Sequence, residues 1–293
     1  MATVLRTPTQ RQTGEYACVD SYTLTYSTAG PRNAPAVLLI HGWSSHRGIW
    51  QQTVAALKDR YFCVSIDLLG FGSSDKPIDG DYSIPAQARR VLTIADELGL
   101  DRFMLVGHSM GGQVSLYLAA NLAPERVLKV VSVAGVVSAK LQPYVENVTY
   151  RMVWMGYKLP LLYGFAKRFL LHFKPYAYLN FYSWFYKMNN PPFNSWRRDR
   201  EMAFQSGIHA AMYHAGQAIH NCDLRPHLGK IFAPTRAIFG AQDGTVPPTD
   251  GELVAQRVPG ADLVLLEDCG HFPMYEHPDA FLTALTNFLD RAE

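Results

Sequence analysis

The stretch that decides the fold of this chain is Phe103-Met104-Leu105-Val106-Gly107-His108-Ser109-Met110-Gly111-Gly112. Its first four residues form a short apolar run, which is typical of a strand buried on both faces. A helical stretch at about 109–123 follows, so a strand, a sharp turn and a helix come in immediate succession. The glycines around Ser109 allow such a turn because they remove the Cβ atoms that would collide within it. The pattern predicts a serine hydroxyl exposed above the end of a buried strand.

Strand and helix signals alternate on both sides of this stretch. Short apolar runs predict further strands at 37–40, 62–66, 130–134, 235–240 and 262–266. Helices are predicted at about 49–58, 84–98, 249–257 and 278–290. Strands that alternate with helices of 10–15 residues indicate a parallel sheet with crossover helices, which is an α/β fold.

The alternation stops between residues 138 and 221. The window 141–196 holds 17 of the 36 aromatic residues and six Lys or Arg against the single acid Glu146, a net charge of +5. Its prolines divide it into short helices. We therefore expect an α/β core at 1–137 and 222–293 that is interrupted by a helical cap or lid at 138–221. Aromatic packing within the lid is the main explanation of this composition, and some of these aromatics, within 141–196, are expected to bind substrate over Ser109.

Composition excludes several classes of protein. The formal charge is +2, whereas a dedicated nucleic-acid binder is usually strongly basic, so no nucleic-acid partner is expected. Four cysteines without a C-x-x-C pair indicate free thiols, and the polar N-terminal residues do not resemble a secretory signal. We expect a cytoplasmic protein. The basic lid would suit contact with a membrane surface, but scattered charge usually marks a solvated face, so that contact is not favoured.

A serine hydroxyl needs a base, and the base needs an orienting acid. Asp243 follows the strand predicted at 235–240, and His271 lies in the loop after the next strand. Parallel strands bring their C-terminal ends to one edge of the sheet, so Ser109, Asp243 and His271 can meet there. The sequence thus predicts Ser109 as nucleophile, His271 as base and Asp243 as the acid.

Other interpretations of these residues compete. Ser109 could be an ordinary helix N-cap, and Asp243 could be only a turn residue. Asp250 is expected to cap its own helix, and Asp268 is too close to His271 along the chain to orient it. We interpret His108 as packing because neighbouring side chains at a sharp turn point apart.

An oxyanion needs two N–H donors. One is expected from Met110, directly after the serine, and the other from Trp43 in the loop after the strand at 37–40. No metal site is predicted, since His209 and His214 are five residues apart instead of four, and no Gly-rich nucleotide-binding loop indicates a cofactor.

With these motifs in family order, the chain resembles the α/β-hydrolase superfamily of serine hydrolases, the esterase- and lipase-like members with a helical cap. The motifs that carry the resemblance are His41-Gly42, Asp67–Asp75, Gly107–Gly112, Gly240–Pro247 and Gly270–Pro278. The resemblance implies a mostly parallel eight-stranded sheet flanked by helices, with an inserted helical cap. It assigns Asp67 and Asp75 to a structural loop.

The resemblance implies hydrolysis of a small carboxylic ester with an apolar acyl or alcohol part, through an acyl-enzyme. Haloalkane dehalogenases and epoxide hydrolases are disfavoured because they carry aspartate at the position of Ser109. The main alternative is a carbon–carbon bond hydrolase of vinylogous diketones, which usually has asparagine and tryptophan where this chain has His108 and Phe272. Haloperoxidase-like acyl transfer and a ligand receptor on the same fold are further alternatives. The oligomeric state is not predicted.

Overall fold

Eight strands form one sheet in this computed structural model, which describes residues 15–170, 182–187 and 205–291. The strands are β1 (Glu15–Val19), β2 (Tyr22–Ala29), β3 (Ala36–Ile40), β4 (Phe62–Asp67), β5 (Phe103–His108), β6 (Val127–Val133), β7 (Thr235–Gly240) and β8 (Asp262–Leu266). Their order in the sheet is β1-β2-β4-β3-β5-β6-β7-β8. All pairs from β4 to β8 are parallel, while β1 and β2 are antiparallel to each other and β2 is antiparallel to β4. The predicted mostly parallel, eight-stranded α/β sheet is confirmed.

Helices cover both faces of the sheet. They are α1 (Gln51–Leu57), α2 (Ile84–Glu97), α3 (Met110–Asn121), α4 (Tyr150–Lys158), α5 (Pro160–Leu170), α6 (Ile208–His220), α7 (Thr249–Arg257), α8 (Pro273–Glu276) and α9 (Pro278–Leu289). Side chains alternate across each strand. In β3, Leu38 and Ile40 therefore join the core cluster on one face, and Val37 and Leu39 join Trp50 on the other.

Helix α3 lies close against the middle of the sheet. Nearly all of its first ten residues are buried. A Cβ atom added at Gly111 would lie 2.2 Å from the carbonyl oxygen of Ile40, so no side chain fits there. This glycine lets the start of α3 lie against the end of β3, which places Ser109 at the carboxyl edge of the central strands.

The segment between β6 and β7 begins and ends at neighbouring positions beside the sheet. The Leu224 N–H donates to the carbonyl oxygen of Val137 at 2.9 Å, so both ends of the segment meet. A single-turn π-helix (Val145–Thr149), α4, α5 and α6 lie between them. We call residues 138–221 the inserted segment.

Asp250 fastens the start of the inserted segment instead of capping its own helix. It is the second residue of α7, and its carboxylate accepts the N–H groups of Val137 at 2.7 Å and Ser138 at 3.0 Å. The interpretation of Asp250 as a helix cap is therefore wrong. The side chain points across to a loop more than a hundred residues away, which a local pattern cannot reveal.

Candidate active site

Ser109 occupies a strained turn between β5 and α3. Its backbone has φ 55° and ψ −118°, a combination that costs free energy for any residue with a side chain. Three backbone hydrogen bonds hold the turn: the Ser109 N–H donates to the Val133 carbonyl at 2.9 Å, and the Ser109 carbonyl accepts the N–H groups of Gln113 at 3.1 Å and Val136 at 3.3 Å. Ser109 stands at the N-cap position of α3, but its side chain makes no capping hydrogen bond. The structure therefore does not support the helix-cap interpretation.

Asp243 and His271 form a buried pair. Asp243 Oδ2 lies 2.8 Å from His271 Nδ1, and both side chains are almost fully buried. The other oxygen, Oδ1, accepts the N–H groups of Thr245 at 2.8 Å and Val246 at 3.0 Å. Asp243 is thus a turn residue and a histidine partner at once. Because a carboxylate only accepts, Nδ1 carries a proton and Nε2 is left free to take another.

The main chain of His271 is held on both sides. Its N–H donates to the carbonyl oxygen of Trp184 at 2.8 Å, and its own carbonyl accepts from Nε2 of His108 at 2.8 Å. The strand–helix turn and the inserted segment therefore both position the predicted base. The ring centroids of His108 and His271 lie 4.6 Å apart, so the His271 loop packs against the turn that carries Ser109.

His108 makes a hydrogen bond to the His271 carbonyl in addition to its packing contacts. Burial sets its pKa well below the usual value for histidine, and the neighbouring His271 lowers it further. The ring is therefore neutral when it donates to the His271 carbonyl. The interpretation as packing missed this bond because His108 and His271 are 163 residues apart.

The loop after β3 lies directly beside Ser109. A Cβ atom added at Gly42 would lie 2.8 Å from the Cβ of Ser109, so the loop backbone approaches the serine too closely for a side chain. His41 shapes this loop: its Nδ1 donates to the Gly42 carbonyl at 2.7 Å, and its Nε2 accepts the Leu68 N–H at 3.0 Å. Burial lowers the pKa of His41, which favours the neutral ring that this pair of bonds requires.

Each of the two predicted oxyanion donors is adjacent in the chain to a residue of the Ser109 turn or of the loop beside it. Met110 is the first residue of α3, so its N–H has no acceptor within the helix. Trp43 follows Gly42 in the loop beside the serine. The arrangement can therefore present two N–H groups to a negative charge that develops next to Ser109.

Residues 182–187 of the inserted segment are fastened to the loops that carry Asp243 and His271. Thr245 Oγ1 donates to the Ser183 carbonyl at 2.8 Å. The Tyr186 N–H donates to Glu276 Oε2 at 2.9 Å. Together with the bond from His271 to Trp184, these contacts join this short stretch to both loops.

Some aromatic residues of the window 141–196 reach the site, and others pack among themselves. Tyr150 stacks on Trp43 with ring centroids 5.5 Å apart, and its buried hydroxyl has no hydrogen-bond partner among the described residues. Burial raises the pKa of this hydroxyl, so it is a neutral phenol. Tyr157 instead stacks on Tyr213 of α6 at 4.4 Å. Residues 171–181 and 188–196 of the window lie outside the described residues.

Among the described residues, no group of three or more His, Cys, Asp or Glu side chains is arranged to hold a metal ion. His209 and His214 each contact a tyrosine ring, of Tyr163 and Tyr82 respectively.

Comparisons with known proteins give the family. A family model described as alpha/beta hydrolase fold matches residues 35–278. A pimeloyl-[acyl-carrier protein] methyl ester esterase of Edwardsiella ictaluri is 29% identical over 269 residues, which cover 89% of this chain and 95% of the esterase. The crystal structure of a membrane phospholipase A, described as a bacterial virulence factor, is similar with a TM-score of 0.77 and 28% identity, covering 95% of this chain and 86% of that one.

A meta-cleavage product hydrolase of Pseudomonas fluorescens IP01 has the same fold, with a TM-score of 0.77 at 20% identity over 96% of this chain and 98% of that one. The family model spans most of the sequence, and the relatives include esterases and lipases. This chain belongs to the alpha/beta hydrolase fold family.

Proposed function

We propose that the protein is a serine hydrolase that cleaves carboxylic esters with an apolar acyl or alcohol part. The observation that carries the proposal is the buried pair of His271 and Asp243, held against the strained turn of Ser109. The esterase and phospholipase among its relatives act on esters, which supports the same reaction class here.

The proposed chemistry follows from the hydrogen bonds around His271. Asp243 keeps the proton on Nδ1, so Nε2 accepts the proton of the Ser109 hydroxyl as its oxygen attacks the ester carbonyl. The C–O bond to the alcohol then breaks, and His271 returns the proton to the leaving alcohol. A water molecule, deprotonated by the same nitrogen, releases the acid and restores Ser109.

The backbone N–H groups of Trp43 and Met110 are proposed to stabilise the oxyanion in both steps. Each donor of this kind contributes about 10²–10³ in rate. The close approach of Gly42 to Ser109 supports this assignment, because it brings the loop that carries Trp43 beside the serine.

We further propose that the inserted segment caps this site and that Tyr150 lines the substrate pocket. Two observations support this role: Tyr150 stacks on Trp43, and Trp184 accepts the His271 N–H. An unpartnered phenol among aromatic rings suits an apolar group with one polar atom, such as an ester oxygen.

A fluorophosphonate probe tests the nucleophile. We expect labelling of the wild-type protein and none of Ser109→Ala, while Ser132→Ala, a buried serine on the neighbouring strand β6, should label like wild type. Equal labelling of the Ser109→Ala protein would contradict the proposal.

The substrate class is tested with p-nitrophenyl esters from acetate to palmitate and with a dienone substrate of meta-cleavage type. We expect ester turnover that depends on Ser109, with the chain-length optimum reporting the size of the pocket. Loss of dienone absorbance without any ester turnover would instead assign carbon–carbon bond cleavage to the same residues.

A further inference from the structure

The outward surface of the inserted segment is strongly apolar where α4 passes into α5. Five large side chains within nine residues are exposed: Trp154, Met155, Leu159, Leu161 and Leu162. Their exposed fractions run from 47% at Met155 to 89% at Leu161. We call these five residues the apolar tip.

This clustering differs from the rest of the described surface. Beyond the inserted segment, the exposed large hydrophobic residues are scattered singly, and they are Tyr16, Ile78, Phe232 and Leu265. Single exposed residues are normal, whereas a contiguous group marks a contact surface.

The opposite face of α4 is already occupied. Val153 and Gly156 are buried, Tyr150 stacks on Trp43, and Tyr157 stacks on Tyr213 of α6. The apolar tip is therefore not the core-facing side of an amphipathic helix. It is a second apolar surface that points away from the protein.

The charges around the apolar tip have one sign. Residues 150–170 contain four basic residues, Arg151, Lys158, Lys167 and Arg168, and no aspartate or glutamate. Arg151 and Lys158 are exposed and lie on the outward side of α4, at helical spacing from Trp154 and Met155. Apolar side chains between basic residues are the composition that binds the interface of an anionic bilayer.

We propose that the apolar tip docks this protein on a membrane surface that contains anionic phospholipids. Leu159, Leu161 and Leu162 enter the boundary between headgroups and acyl chains, while Arg151 and Lys158 pair with the phosphates above it. A second copy of this chain is a poorer partner, because pairing two such surfaces would bring Arg151 and Lys158 of each copy, four positive charges, together. No helix among the described residues is long and apolar enough to cross a bilayer. The inference goes beyond the proposed function.

Vesicle flotation tests the proposal, with Ser109→Ala protein so that no lipid is hydrolysed. We expect binding to vesicles of phosphatidylcholine mixed with phosphatidylglycerol, weaker binding to phosphatidylcholine alone, and loss of binding as salt is raised. The variant Leu159→Gln/Leu161→Gln/Leu162→Gln should bind the mixed vesicles at least about tenfold more weakly. It lacks three apolar side chains whose transfer from water into the membrane stabilises binding. For Arg151→Gln/Lys158→Gln, we expect the affinity for mixed vesicles to fall about fivefold per charge removed and the affinity for phosphatidylcholine vesicles to change little.

The matched control replaces three exposed apolar residues elsewhere, Ile78→Gln/Phe232→Gln/Leu265→Gln, and should bind within about twofold of the parent. Thermal unfolding, and turnover of a water-soluble ester with Ser109 present, should be unchanged in every variant. Absence of binding to mixed vesicles would overturn the proposal, as would equal losses in the tip and control variants. A wild-type dimer that dissociates only in the tip variant would also overturn it, since the surface would then be a self-contact.

Discussion

Replacing Asp243 by asparagine is a sharp test of the proposed base. The side chain keeps its shape, and the two backbone N–H groups of Thr245 and Val246 still require an acceptor at the position of Oδ1. They hold the amide oxygen there, so the NH₂ group must lie at the position of Oδ2, 2.8 Å from Nδ1 of His271. Two donors cannot face each other, and the ring must move its proton to Nε2.

In that tautomer, His271 can no longer accept the proton of Ser109. The expected loss in kcat is about 10⁴-fold, the size found when the orienting acid of such a triad becomes an amide. This corresponds to about 5.4 kcal/mol of transition-state stabilisation. KM should change little, because no contact with substrate is removed.

The assay is steady-state hydrolysis of the best p-nitrophenyl ester, with thermal unfolding measured alongside. Asp250→Asn is the matched control: it is a second buried aspartate that accepts two backbone N–H groups, and its amide oxygen can keep both. We expect that control to retain nearly full kcat. An Asp243→Asn protein that keeps a tenth or more of wild-type kcat would refute the tautomer argument.

Three further outcomes are expected. His108→Phe should lower kcat by up to about 10²-fold with KM nearly unchanged, because the His271 carbonyl loses its donor; His108→Gln, whose amide can donate, should lose clearly less, and equal losses in the two would contradict this role. Asp250→Ala should lower the free energy of unfolding by about 2–4 kcal/mol in thermal or urea unfolding, since the N–H groups of Val137 and Ser138 lose their acceptor; an unchanged unfolding temperature would count against it. Burial holds the pKa values of His41 and His108 below that of the unfolded chain, so the unfolded state binds more protons as the pH falls below about 6.5, and each histidine should then cost at most about 1.4 kcal/mol of stability per pH unit. Urea midpoints from pH 7 to pH 5 should fall less steeply for His108→Gln than for wild type, and identical slopes would refute the assignment.

The central sheet was predictable because its signals are local. The strands β3, β4 and β5 are buried along their whole length and mostly apolar, as buried parallel strands require, and the glycines beside Ser109 mark a sharp turn. The antiparallel strands β1 and β2 were not predicted from the residues. They are partly exposed and mix Thr, Ser and Tyr with apolar residues, so neither strand gives a continuous apolar run.

The order of strands predicted that Ser109, Asp243 and His271 share one edge of the sheet, and the structure places Asp243 and His271 in contact there. The partners that hold them could not be predicted. His271 lies more than eighty residues from both His108 and Trp184, and Asp250, which fastens the inserted segment, is likewise more than eighty residues from Val137. Every one of these hydrogen bonds uses a backbone atom on at least one side. Such long-range bonds to backbone atoms produce no residue spacing or composition that could be recognised in the sequence.

The bond from the His271 N–H to Trp184 has a consequence for engineering. Because the acceptor is a carbonyl oxygen, this hydrogen bond does not depend on which side chain residue 184 carries, yet the path of the backbone through that point cannot change without releasing the histidine. Exchanging the inserted segment for that of a relative, a natural way to alter substrate range, would therefore succeed only with the backbone of 182–187 retained. A comparison of aligned side chains would give no warning of this requirement.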